Sequence, residues 1–432
     1  EENPFSLNQI EGRFHRFFKD FTWQTEVLTQ FNRHSYYGVP QLEGLLPLDT
    51  ANAELFDIWR RRYAFSTGVV ENKADALGPL AALHLDYQNF SDNYFTSEND
   101  LGMRSEWTLP VEDLDLQIGA HLRYFNTDFD SIIRGGDSLR LLEQDYLTFQ
   151  LNPRIEVAYD DFKFLFGFNL FSLSGNFSVN DSSISDFRFF PLLQVEYQLV
   201  EEVLIAEAGL TGDLQQQTYQ SLTANNPYLN PGQVLTPTKT TDFYLGLKGL
   251  LSGNTSFRAR LGYQRQRDQA LMIRQANFFS GSSTPGLDVA YDDVGAFYLQ
   301  GELQAQFTPN LSLSANAQYR NYQLDVLPVA WHLPAFTGRL KAEYLWLEKV
   351  KFSTDIQFVG ERAVQQINAE TKVLEDARLP AYLNANAGIT YYYNTRLSAF
   401  IQAANLLNDP YLIYLGFPTQ DVNVWFGFTY LF

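Results

Sequence analysis

The sequence contains no cysteine. That excludes disulfides and makes a structural zinc site improbable, and it suits a chain that crosses an oxidising compartment without wrong pairings. Also missing is any apolar run of about 18 residues, so no transmembrane helix is present. A membrane β-barrel is not excluded, because its lumen-facing residues dilute the lipid-facing ones in any average. The opening EENPFSLNQI has neither a basic start nor an apolar core. The chain therefore reads as cytoplasmic or as a mature form whose leader has been removed. Cations are scarce: 31 Lys and Arg stand against 50 Asp and Glu, a net charge of −19. A nucleic-acid partner would call for a basic stripe, and the acidic balance argues against one.

Catalytic chemistry is missing too. The five histidines, His15, His34, His84, His121 and His332, are not spaced as metal ligands. No Gly-rich phosphate loop or nucleophile elbow occurs. Carboxylate pairs such as Asp160 and Asp161 fall in turns, where Asp is favoured for backbone reasons. The expectation is a protein that is not an enzyme, with no catalytic, cofactor-binding or metal-binding residue. With no linker or composition shift, residues 1–432 read as one domain.

What the chain has is aromatic residues in alternation, with 36 Phe and 25 Tyr. From Leu147, the residues Leu147, Phe149, Leu151, Pro153, Ile155 and Val157 share one face, and Thr148, Gln150, Asn152, Arg154 and Glu156 the other. The pattern resumes after a turn with Phe162, Phe164, Phe166 and Phe168. Similar alternation runs through Leu114–Leu122, Phe257–Tyr263, Leu311–Tyr319 and Phe352–Phe358. Period two over such lengths is the signature of strands. About nineteen strands of roughly 9–11 residues are expected. Helical spacing is confined to short pieces such as AELFDIWRRR, from Ala53 to Arg62, which reads as a loop helix.

The connections alternate between short and long. Tight turns are expected at Lys19, Tyr159, Val200, Ser252, Thr308, Leu347 and Asn394, and long polar links from Asn126 and from Thr211 to Thr240. Short turns at one end and long loops at the other describe an all-β, up-and-down antiparallel β-barrel that spans a membrane. A soluble sandwich of this width would need helices or a second sheet over its apolar face, and no such helices are evident. Lipid is the simpler partner. Leu151 and Phe166 should face it near mid-membrane, with Asn152 and Arg154 inward, and Pro153 should force a bulge because it removes a ladder donor. The inner face mixes Arg154, Arg258, Arg260, Arg320, Arg339 and Lys341 with Glu156, Glu302, Glu343 and Asp355, which reads as cross-strand ion pairs, with a lining that screens solutes by charge as the alternative. Tyr219, Tyr228 and Trp331 read as loop packing, with a sugar or a partner as the alternative. The 211–240 link is long enough to fold inward, and its Gln, Asn and Pro content suits a hydrated segment without an apolar core.

The chain ends DVNVWFGFTYLF, with Phe426, Phe428, Tyr430 and Phe432 on one face. A terminal aromatic after alternating aromatics resembles the insertion signal of outer-membrane barrels. The preceding Asn405, Leu406, Leu407, Asn408 and Tyr411 resemble the penultimate segment of TonB-dependent receptors. Together with FVGER from Phe358, and with AWHLPAFTGRLKAEYLW from Ala330, they resemble a plugless, receptor-like barrel family of Bacteroidetes. The resemblance implies an outer-membrane barrel of about 22 strands in a Gram-negative bacterium. Gly12–Phe18 then runs downward as the first visible strand, and further strands are expected upstream. The resemblance also implies either uptake of a solute or, as the alternative, a non-transporting barrel subunit of a machine for barrel assembly or protein secretion. Its partners would be outer-membrane lipid and lipopolysaccharide, the barrel assembly machinery during insertion, and a surface lipoprotein or other outer-membrane subunits. A tube of that width without a plug threatens the barrier, so a blocked lumen is expected.

Overall fold

A computed structural model describes residues 6–35, 57–73, 77–129, 142–178, 182–274, 287–367, 374–415 and 417–431. In chain order the first strands are β1 (Ser6–Phe17), β2 (Phe21–Ser35), β3 (Asp57–Glu71), β4 (Leu80–Asp92), β5 (Thr96–Val111) and β6 (Leu114–Phe129). Next come β7 (Leu142–Tyr159), β8 (Phe162–Phe177), β9 (Ser182–Val200), β10 (Leu204–Gln215), helix α1 (Tyr219–Asn225), β11 (Thr238–Ser252) and β12 (Thr255–Ile273). β13 (Asp288–Thr308), β14 (Leu311–Leu324), β15 (Phe336–Trp346), β16 (Val350–Val359), β17 (Arg362–Ile367) and β18 (Leu374–Leu379) follow. The chain finishes with β19 (Tyr382–Tyr392), β20 (Leu397–Ala404), β21 (Leu412–Tyr414), β22 (Phe417–Pro418) and β23 (Asn423–Tyr430).

Nineteen of these strands form one antiparallel sheet. Each strand from β1 to β16 pairs with the next, and the wall continues through β19, β20 and β23. β17 pairs with β18, and β21 with β22, as separate small hairpins above it. Among the described residues no pairing joins β1 to β23. The seven expected tight turns all lie at one end of this meander. Asp160 takes φ of 54° in the two-residue turn between β7 and β8, and Glu202 takes φ of 56° in the three-residue turn between β9 and β10, the left-handed geometry that such tight hairpins use.

The two faces divide as the alternation requires. Phe166 is exposed on the outer face, while Arg154 on the inner face donates to Gln117 across the strand pair. The register also marks where the apolar exterior stops. Tyr87, Leu101, Tyr124 and Leu147 form one cross-strand row on the outer face. The next row toward the long loops is Asn89, Asn99, Asn126, Asp145 and Asn176, and the one above it Ser91, Ser97, Asp128 and Glu143. The Tyr87 hydroxyl and the Asn89 amide both donate to Asn99 at the step between them. An apolar face edged by aromatics and then by amides fits hydrocarbon bounded by an interface.

Two expectations change. The AELFDIWRRR stretch is no helix where it is described, since Asp57 to Arg62 belong to β3. Ile58 and Arg60 are buried inward while Trp59 and Arg61 stack outward at 4.4 Å, so the arginine run divides between faces. Ala53 to Phe56 lie outside the described residues. Pro153 makes no bulge. β7 pairs with β8 at Leu151–Leu170 and again at Arg154–Gly167 in unchanged register. The ladder passes over the proline because Gly167 has no side chain; a Cβ there would lie 2.6 Å from the Pro153 carbonyl.

Candidate functional site: the mouth of the barrel

The β10–β11 link is shorter than the sequence suggests, because strands continue to Gln215 and resume at Thr238. Its chain does not rise away from the wall. Thr218 caps α1, accepting from the Ser221 amide at 3.0 Å, while the Ser221 hydroxyl accepts from the Thr218 amide at 3.2 Å. Asn226 turns the chain by accepting from the Tyr228 amide at 3.0 Å, and Pro227, Pro231 and Gly232 (φ 73°) shape the return.

This loop crosses the mouth and is held by side chains from distant strands. Glu98 of β5 accepts from the Tyr219 amide at 2.7 Å, with Gln220 further off at 3.4 Å. Gln144 of β7 grips the backbone in both directions, donating to the Gln233 carbonyl and accepting from the Leu235 amide, each at 2.8 Å. The Tyr146 hydroxyl donates to the Leu235 carbonyl at 2.5 Å. Arg60 of β3 donates to the Pro227 carbonyl at 2.7 Å. From β13, the Tyr291 hydroxyl donates to the Val234 carbonyl, and Asp288 accepts from Gln233, both at 2.8 Å. Tyr414 of β21 donates to the Asn225 carbonyl at 2.8 Å. The wall therefore curls far enough for one loop to touch β3, β5, β7 and β13.

An apolar cluster lies beneath these bonds, contrary to the expected hydrated segment. Tyr219, Leu222, Leu229 and Leu235 of the loop pack with Phe90, Phe125, Phe129, Leu142, Tyr146 and Leu173 of the wall. Tyr219 meets Phe129 edge-on at 5.3 Å and is fully buried. Each such side chain contributes roughly 1.5–3 kcal/mol by leaving water. The reason for the difference is spacing: the few apolar residues of a polar loop are the ones that turn toward the wall.

Glu98 lies between Ser97 and Asn99 of the polar rows, outside the hydrocarbon. Burial pushes its carboxyl up to about 8, against the lowering effect of the Tyr219 and Gln220 amides, and Asp100 adds to the rise. Below the loop the inner wall is polar. Arg104 pairs with Asp86 at 2.9 Å, Arg123 donates to Asp100 at 2.8 Å, and Arg62 donates to Gln88 at 2.8 Å. These residues and His121 line a concavity of about 590 Å³. Nothing in this arrangement resembles a catalytic constellation; it can close a passage and line it with charge.

The charged residues expected on the inner face are mostly in bonded pairs. Arg260 bonds Glu207 at 2.6 Å with Arg258 nearby, Arg339 pairs with Asp355, Lys351 with Glu343, and Lys163 with Glu156. Arg320 donates to Gln264 and Glu302 accepts from Gln300. Tyr219, Tyr228 and Trp331 are all packed, Tyr228 beside Ile58, Tyr94 and Tyr414. Phe426, Phe428 and Tyr430 are exposed on β23. Phe432 lies outside the described residues. Sequence reasoning missed Arg60, Glu98, Gln144 and Tyr146. The available signal was aromatic residues on both faces near the loops, as in Tyr124, Phe125 and Phe129, where a hydrated lumen has no use for them.

No protein-family model and no curated protein matches the sequence. Solved structures do. FpvA of P. aeruginosa, bound to heterologous pyoverdines, is similar with a TM-score of 0.70 at 13% identity, over 98% of this chain and 64% of that one. Fiu, the ferric-catecholate import receptor of E. coli, is similar at 0.69 and 12% identity, over 100% of this chain and 75% of that one. The FrpB iron transporter of Neisseria meningitidis is similar at 0.71 and 10% identity, over 99% and 73%. The chain spans about two thirds of the length of FpvA. What it shares with these TonB-dependent receptors is their fold, the antiparallel barrel wall of an outer-membrane receptor.

Proposed function

We propose that this chain is a receptor-like uptake barrel of the Gram-negative outer membrane whose extracellular mouth is shut at rest by its own loop, residues 216–237. The observation that carries this reading is the inward fold of that loop, pinned by Arg60, Glu98, Gln144 and Tyr146 over an apolar cluster. Shape supports the class: the similar structures include a ferric-catecholate import receptor and an iron transporter. In this reading the loop serves as a barrier across the mouth, and residues 1–432 act as one barrel domain. Lipid and lipopolysaccharide cover the outer apolar face, and the barrel assembly machinery reads Phe426, Phe428, Tyr430 and Phe432.

The test is a planar bilayer containing the purified full-length protein. The intact barrel should conduct little, and replacing residues 216–237 by a short Gly-Ser linker should open a large, steady conductance. A large conductance from the intact barrel would overturn the closed reading. The number of bonds that fix the loop favours a second reading, a barrel subunit that does not transport and serves a multi-protein outer-membrane machine. Stoichiometric companions on purification from native membranes, with no solute-dependent opening, would select it.

A further inference from the structure

Beside the closing loop lies a cluster that its closure does not use. Arg362 of β17 is 5% exposed and Arg274, just past β12, is 9% exposed. Each is spent on neutral partners. Arg362 donates to the Ile413 and Leu412 carbonyls at 2.8 and 2.7 Å, and Arg274 to the Leu415 carbonyl at 3.3 Å. Among the described residues neither has an acidic partner; the rings beside Arg362 are those of Tyr382 and Tyr414, and burial disfavours the charge of both arginines. The side-chain Nε of both arginines, the Nδ1 of His332 and the Nε1 of Trp331 are enclosed without a hydrogen-bond partner. The groups are mutually close: both arginines act on His332, and the His332 amide donates to the carbonyl of Ala363, next to Arg362, at 2.9 Å. Aromatic walls complete the enclosure, with Arg362 over the Tyr382 ring at 5.1 Å and Tyr382 stacked on Tyr411 at 4.0 Å.

Two buried cations without a counter-charge are costly. They stand out further in a chain of net charge −19. A carboxylate or phosphate oxygen is a much stronger acceptor for a guanidinium than a backbone carbonyl, and arginine's planar fork suits either group. We propose that Arg274 and Arg362, flanked by Trp331 and His332, form a recognition site for a carboxylate or phosphate group carried by a solute that reaches the mouth from outside. The anion enters by taking the place of the Leu412, Ile413 and Leu415 carbonyls, which frees the β21–β22 hairpin from the two arginines. Binding here does not depend on uptake, because it is read on the closed barrel.

The experiment uses the full-length protein in lipopolysaccharide-free detergent, at constant ionic strength set with sodium chloride. Sodium phosphate and sodium citrate are titrated while thermal unfolding and amide exchange at residues 412–415 are followed. At least one anion should raise the unfolding temperature saturably and speed exchange at 412–415, where chloride does neither. Arg274→Gln and Arg362→Gln should each weaken that response at least about tenfold, while heat-modifiable migration confirms that both variants form barrels. No saturable response of the wild-type protein to either anion overturns the proposal whatever the variants do. A response that both variants retain overturns it as well. A response to purified lipopolysaccharide but to neither free anion moves the site from a solute to a lipid phosphate and overturns the assignment made here.

Discussion

Replacing Tyr219 by alanine removes the loop ring that packs against wall strands β4 and β6. That ring is fully buried against Phe129 at 5.3 Å and Phe90 at 6.1 Å. Its neighbours Phe90, Phe125 and Phe129 belong to wall strands and cannot move in to refill the space. Truncating a large buried aromatic costs about 3–5 kcal/mol. Here the loss falls on docking of the loop rather than on the wall, whose ladders do not involve Tyr219. At about 1.4 kcal/mol per tenfold, the undocked fraction should rise by roughly two to almost four orders of magnitude. The assay is single-channel recording, with limited proteolysis of the 216–237 segment as a second readout. Tyr219→Ala should show openings absent from the parent protein and rapid cleavage in the loop. Val234→Ala, at a side chain 50% exposed in the same loop, is the control and should behave as the parent. If Tyr219→Ala stays closed and uncut, or if both variants open alike, the loop is not held by the cluster described.

Three further outcomes are expected. Glu98 has a docked-state value raised to about 8 from the ordinary 4.5, so the docked state keeps a proton that the undocked state gives up. Docking is then strongest at low pH and weakens as pH rises from about 4.5 toward 8, and Glu98→Gln should flatten that dependence of loop proteolysis. Leu151→Arg should cost roughly 2–4 kcal/mol in a bilayer, and Asn152→Arg much less, as measured by reversible unfolding in lipid; equal losses would mean that the two faces are reversed. Deleting Phe432 should sharply lower outer-membrane levels of the barrel, and unchanged levels would remove its role as an insertion signal.

The strands and their faces were legible residue by residue. In Leu147–Val157 the side chain of each residue is set opposite to its neighbours by the pleat, a local property that needs no knowledge of the rest of the chain. The same holds for the turns at Tyr159 and Val200, and for the ion-paired inner face. Local reading failed where two signals compete over a few residues: IWRRR carries strand alternation that a helical pattern obscured, and the consequence of Pro153 depended on Gly167 in another strand. The closing loop was legible only as length and polarity. Its partners were not, because the bond from the Tyr219 amide to Glu98 spans 121 positions and the one from Leu235 to Gln144 spans 91. Alternation tells each strand which way to face. Which loop residue meets which wall residue depends on how far the sheet curls and where each register stops, and those are summed over many strands before any one contact exists.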